Sequence, residues 1–218
     1  MNYQLQDDIA LICFDDGKAN AINHEFISAM NEALDKAEQE AKAVVIYGRE
    51  GMFSAGFDLK ALAKGGAQAE EMLQKGMVLV TRMYGLGLPL VSACDGHAIG
   101  MGAFLLMASD NRIGSDSEYT VNLPETAIGM PFTPVLMSLI KSSIVNTEQT
   151  LAVIQSKKYD PKGAVKAGFL DELVAKDQLM EKATALAKQL AELPQAYYQT
   201  NKRDLRGDKL KIMHDSLK

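Results

Sequence analysis

One arrangement occurs twice in this chain: a short apolar strand, a glycine-bearing loop, then a helical segment. Val44-Val45-Ile46-Tyr47 leads into Gly51–Phe57 and a helix, and Leu90-Val91-Ser92-Ala93 leads into Gly96–Gly102 and a second helix. This recurrence constrains the fold more than any other feature. Strands alternating with helices build an α/β layer structure, and open α/β folds bind ligands outside the C-terminal ends of their strands, where both loops lie. Glycine admits positive φ and lets a ligand come close. A helix N-terminus adds N–H groups with no internal acceptor and a partial positive charge. Two such loops on neighbouring strands can aim two N–H groups at one oxygen, which stabilises negative charge developing on a carbonyl. On glycine content alone, tight turns without a ligand explain the same residues.

The remaining pattern fits this class. Ile9–Phe14 reads as a strand ending at Asp15-Asp16-Gly17. Asn23 is a fair N-cap for a helix whose apolar stripe is Phe26, Ile27, Met30, Leu34 and Ala37. Ala43–Tyr47 has no polar alternation, as expected of a strand covered on both faces. Residues 48–56 read as a loop and about 58–86 as helical with a break at Gly65-Gly66. Strands are expected over 89–94, 111–114 and 118–122, and helices over 131–140, 148–155, 161–167 and 179–193. The tail from Gln195 to Lys218 is polar and expected to be helical in part.

Several functions are disfavoured. The chain of 218 residues carries 23 Lys and Arg against 28 Asp and Glu, a net charge of −5, which argues against nucleic acid as a partner. No apolar stretch reaches the length of a membrane span, and the polar N-terminus does not read as a signal peptide. The two cysteines, Cys13 and Cys94, sit in apolar runs, too sparse for a disulfide framework or a zinc site, and suggest a reducing, cytoplasmic setting. The three histidines have no metal-ligand spacing, so no metal is expected. The dinucleotide fingerprint fails because Leu105 stands where a third glycine is needed, and the P-loop Gly-Lys-Ser/Thr is absent.

Five segments in order resemble the enoyl-CoA hydratase/isomerase (crotonase) superfamily: Lys18–Asn23, Phe53–Leu59, Asp95–Gly102, Asp110 and Leu123–Gly129. Gly163–Asp171 is similar to the segment that follows the family core. The resemblance implies a spiral of ββα units over residues 1–170 and a C-terminal helical region over 171–218, shorter than is typical of the family. It implies acyl thioesters of coenzyme A as substrates, with no separate cofactor. Phe57 and Met101 then correspond to the residues whose N–H groups form the oxyanion hole. Lys18, Ala19, Ala55, Asp58 and Gly100 correspond to the backbone around coenzyme A. Met101 departs from the glycine common at that position, but a backbone N–H survives any side chain except proline, and the side chain is placed to narrow the acyl pocket. The family's assemblies imply a homotrimer or hexamer.

The family's hydratases use two glutamates. Here Phe104 stands at one position and Glu125, in Leu123-Pro124-Glu125, at the other. Two carboxylates bracketing a water serve hydration, whereas a double-bond shift needs one base. The expectation is therefore Δ3-to-Δ2 enoyl-CoA isomerisation by Glu125. The alternatives are a hydratase with one glutamate replaced, or a non-catalytic acyl-CoA binder. Glu125 lies among Val121, Leu123, Ala127, Ile128 and Met130, and burial there raises a carboxyl pKa; read without the resemblance, it is an exposed loop glutamate. Phe104 is expected as a pocket wall or as helix core. His97 reads as structural, and Asp58 as the cap of the next helix. Lys202, Arg203 and Arg206 can meet the phosphates of coenzyme A, but the favoured reading is the solvated face of a helix. The 12 methionines suit an adaptable acyl pocket but read mainly as core filler.

Overall fold

The computed structural model describes residues 1–218. Nine strands form two sheets. The larger runs β1 (Asn2–Gln6), β2 (Ile9–Cys13), β3 (Ala43–Tyr47), β5 (Leu90–Cys94), β7 (Asn111–Ser115) and β9 (Glu172–Val174) in that spatial order. Only the β1–β2 pair is antiparallel. The smaller sheet is parallel and runs β4 (Gly51–Ser54), β6 (Gly96–Ile99), β8 (Val121–Asn122). After the β1–β2 hairpin, each turn from β3 to β8 places one strand in the large sheet, the next in the small sheet, and then a helix. This is the ββα spiral that the resemblance implies.

The helices between turns are α1 (His24–Glu40), α2 (Leu59–Ala63), α3 (Gly66–Tyr84) and α4 (Met101–Met107). The Asn23 side chain caps α1 by accepting from the Phe26 N–H at 2.9 Å, a contact worth about 1 kcal/mol. The large sheet is covered on both faces, which explains why its strands lack polar alternation. One set of side chains, including Ala10, Ile12, Val44 and Ile46, enters the main core. The alternate set, Ile9, Leu11, Val45, Val91 and Ile113, packs under α8 (Leu179–Ala191) through Leu179, Ala183 and Ala187.

β1 and β9 have no counterpart in the sequence expectation, and four expected features take a different form. The two glycine loops each contain a strand, β4 and β6; polar residues and glycines hid them, and pairing with each other and β8 stabilises them. The helix expected over 148–155 is a short α6 (Asn146–Gln149) followed by a π-helical turn, Thr150–Ile154. The strand expected over 118–122 pairs only at β8. The tail forms one continuous helix, α9 (Gln195–Ser216), which packs on α3 and on α5 (Pro134–Ser143).

The favoured reading of the tail cations as a solvated face is corrected. Lys202 Nζ donates to Asp110 Oδ2 at 2.8 Å, and both side chains are under 10% exposed. Tyr198 Oη donates to the same oxygen at 2.8 Å. Arg206 Nη1 lies 2.9 Å from Asp110 Oδ1 and donates to the Tyr84 carbonyl. These two cations are internal counter-charges that pin α9 to the start of β7, and only Arg203 faces solvent. A cleft of about 460 Å³ beside this cluster, lined by Leu193, Tyr197 and Leu205, is separate from the two glycine loops.

Candidate active site

The first glycine loop is braced by the segment before α1. The Asn20 side chain donates to the carbonyls of Met52 and Phe53, each at 3.1 Å. Ser54 Oγ donates to the Asn20 carbonyl at 2.8 Å, and Ala55 N–H donates to the Ala19 carbonyl at 3.0 Å. Ile22 then bridges both sides of Phe57: its N–H donates to the Gly56 carbonyl at 2.8 Å, and its carbonyl accepts from Asp58 N–H at 3.1 Å. In a parallel bridge of this kind the central residue's own N–H points away, and the Phe57 N–H has no acceptor.

The second loop ends at Gly100, which has φ +50° and precedes α4. Met101 is the first residue of that helix, so its N–H has no intrahelical acceptor. The two loops meet at Gly56, whose φ of +85° few side chains tolerate. A Cβ built on Gly56 would stand 3.1 Å from the Met101 nitrogen and 2.7 Å from the Ile99 carbonyl oxygen. Only glycine allows this approach, which sets the residue before Phe57 against the Met101 amide.

Glu125 reaches the same place from β8. Gly100 N–H donates to the Asn122 carbonyl at 2.9 Å, so the β6–β8 pairing delivers Leu123-Pro124-Glu125 alongside the second loop. Glu125 Oε1 sits over Gly100, 3.1 Å from where a Cβ would lie. The residue is 7% exposed, and its Oε2 is buried without a hydrogen-bond partner. Burial pushes its carboxyl up to about 7, against a smaller lowering by its own backbone N–H. A buried carboxyl with one unpartnered oxygen beside N–H groups that lack acceptors is costly for stability alone, which makes it a candidate for chemistry.

The turn carrying Glu125 is held from outside. Thr126 Oγ1 donates to the Val153 carbonyl at 2.7 Å, and the Ala127 N–H donates to Ser156 Oγ at 3.2 Å. Sequence reasoning missed Thr126 and Ser156, which are brought together only by the fold because α5, α6 and the π-helical turn lie between them in the chain.

The other candidates resolve as follows. Phe104 is fully buried in α4, its ring edge-on to Phe132 with centroids 6.3 Å apart, so no carboxylate occupies that position. Asp58 caps α2, accepting from the N–H groups of Lys60 and Ala61 at 2.9 and 3.2 Å. The Ala55–Ala19 hydrogen bond sets Ala19 beside Ala55, and Arg49, not singled out from the sequence, donates to the neighbouring Lys18 carbonyl. His97 Nδ1 accepts from the Thr120 N–H at 3.0 Å, a structural role.

The family model for enoyl-CoA hydratase/isomerase matches residues 4–211. The chain belongs to the enoyl-CoA hydratase/isomerase family. Its spiral is the crotonase fold: an enoyl-CoA hydratase/isomerase family protein from Pseudomonas syringae superposes with a TM-score of 0.95 at 33% identity, covering 99% of this chain and 94% of that one. A Mycobacterium tuberculosis protein, described as an enoyl-CoA isomerase in one structure and as a probable enoyl-CoA hydratase in another, superposes with a TM-score of 0.94 at 34% identity, covering 99% and 95%. A carnitinyl-CoA dehydratase from Salmonella typhi is 32% identical over 186 residues, 82% of this chain and 69% of that protein. Members of this family are enzymes, and an acyl-CoA substrate is consistent with the crotonase fold. No helix is long and apolar enough to cross a membrane.

Proposed function

We propose that this protein is a Δ3-to-Δ2 enoyl-CoA isomerase that works with a single carboxylate. The observation that carries the reading is Glu125: a buried carboxyl with an unpartnered Oε2, set over Gly100 beside the free N–H groups of Phe57 and Met101, with a phenyl ring at position 104. In this reading the thioester oxygen accepts from both N–H groups, which stabilise the charge that develops as the α proton leaves. Glu125 Oε2 takes that proton from C2. The electron pair delocalises into a dienolate, and the carboxylic acid so formed returns the proton to C4. No water enters and none leaves. Raising the carboxyl to about 7 matches one group to both steps, since a base poised near the working pH gives up its proton as readily as it takes one. Lys18, Ala19, Ala55, Asp58 and Gly100 border the coenzyme A.

The resemblance to a carnitinyl-CoA dehydratase supports a second reading, water addition or removal at the same oxyanion pair. Purified protein supplied with crotonyl-CoA and with a 3-enoyl-CoA separates the two. Double-bond migration faster than hydration is expected, and the reverse order replaces the isomerase assignment with a lyase. Glu125→Gln is expected to abolish either reaction, and coenzyme A affinity without turnover on both thioesters would indicate a binder. The free cysteines fit a cytoplasmic location. Exposed Tyr197, Leu205 and Ile212 along α9 suit packing between copies in a homotrimer or hexamer, which light scattering measures.

A further inference from the structure

α3 contains a glycine, Gly76, well inside its 19 residues. At such a position glycine costs about 1 kcal/mol relative to alanine, so a packing reason is expected. The reason is Phe57. A Cβ at Gly76 would stand 2.6 Å from Phe57 Cε1, closer still to Cζ, and 3.4 Å from Met101 Cε. The side chains of the two residues offering free N–H groups therefore converge on bare helix backbone. Met101 is 2% exposed, and behind it on α4 the fully buried Phe104 ring meets Phe132. On the α3 side, Met77 Sδ accepts from Thr133 Oγ1 at 3.3 Å. The ring of Phe57 cannot retreat toward α3, because the glycine has already yielded all the space there is.

We infer that Phe57, Met101 and Gly76 form a wall beside the oxyanion pair that limits the acyl chain, so that the substrates are short-chain acyl thioesters of coenzyme A. This rests on the acyl-thioester reading above and adds the length of the chain to it. A thioester whose oxygen is held by the Phe57 and Met101 amides has its acyl carbons next to the side chains of the same residues. A chain of a few carbons ends at the wall. A longer chain has to displace a half-buried aromatic ring seated on Gly76 and a buried methionine. A hydrophobic site discriminates about tenfold or more for each methylene it cannot house.

Two measurements on the full chain test this. The first is kcat/KM along a series of straight-chain 3-enoyl-CoA thioesters, from hexenoyl to dodecenoyl, for wild type, Phe57→Ala and Met101→Ala. The wild type is expected to lose at least about tenfold from hexenoyl to decenoyl, the cost of leaving even one of the added methylenes unhoused, and the variants to reverse or flatten that ratio. Phe57→Leu, a smaller disturbance, serves if Phe57→Ala does not fold. The second is calorimetric affinity for saturated butanoyl-CoA and decanoyl-CoA, which reads the wall without turnover. Tighter binding of butanoyl-CoA supports the wall even if isomerisation is absent. Equal activity across the series together with equal affinities overturns the wall and leaves the isomerase assignment standing. A variant whose length preference matches wild type overturns the part assigned to its side chain. Failure to bind either thioester removes both readings.

Discussion

Thr126 donates its hydroxyl proton to the carbonyl of Val153 at 2.7 Å, tying the turn that bears Glu125 to the π-helical turn at 150–154. That turn closes through the Gln155 N–H, which reaches back five residues to the Thr150 carbonyl at 3.2 Å. Wide turns of this kind recur at functional sites because they re-aim a carbonyl. Thr126→Val keeps the shape and removes the donor. Misplacing a base by about 1 Å costs up to about 100-fold in rate, so kcat on a 3-enoyl-CoA should fall between tenfold and that limit while KM holds. Thr126→Ser should restore it. An unchanged kcat in the valine variant would show that the turn keeps its place without this bond.

The approach of Gly56 to the Met101 amide sets a second expectation. Gly56→Ala places a methyl 2.7 Å from the Ile99 carbonyl at a φ of +85°, so one loop must move. Loss of an oxyanion donor typically costs about 100-fold or more in kcat. Steady-state kinetics with a matched thermal melt checks this. A folded variant with wild-type turnover would separate the two amides from the chemistry.

The carboxyl of Glu125 makes activity and stability depend on pH in opposite senses. In the role proposed for it, the carboxyl must be ionised, so kcat/KM should rise with pH through a midpoint of about 7. For stability, the folded pKa of about 7 lies above the ordinary 4.5, so the folded state holds the proton more tightly between those values. The stabilising contribution is fully present below about 4.5 and is lost as pH rises through about 7. Over that window it amounts to about 3 kcal/mol. The stability of Glu125→Gln relative to wild type should therefore improve by about that amount between pH 5 and pH 8, as read by urea unfolding. A constant difference would place the carboxyl in water.

Asp110 carries a different load. It faces Lys202 and Arg206 at 2.8 and 2.9 Å in a buried setting. Asp110→Asn leaves two cations with no counter-charge and should destabilise by about 3–5 kcal/mol. Denaturant unfolding measures this. A loss below about 1 kcal/mol, the scale of an exposed pair, would mean that water reaches the cluster.

Much of this fold is legible in the residues themselves. The apolar runs at 43–47 and 90–94 announce strands covered on both faces, and the Asn23 cap with its apolar stripe announces α1. β4 and β6 were hidden because glycine and polar residues rarely make strands alone; they hold because Met52 pairs with His97, and Ala98 with Val121, across the small sheet. Lys202 and Arg206 looked like solvent-facing charge because their counter-ion lies far back in the chain at Asp110.

Through its resemblance to the family, the sequence pointed to Phe57 and Met101 as the residues whose main-chain amides can be spared, since neither is a proline. The same resemblance indicated that one carboxylate stands where the family's hydratases use two, since Phe104 carries no charge. The tertiary structure alone decided that Glu125 is buried, that its oxygen lies over Gly100, and that Phe57 leans on Gly76. Burial and contact belong to neighbours brought together by the fold, and no local pattern of residues encodes them.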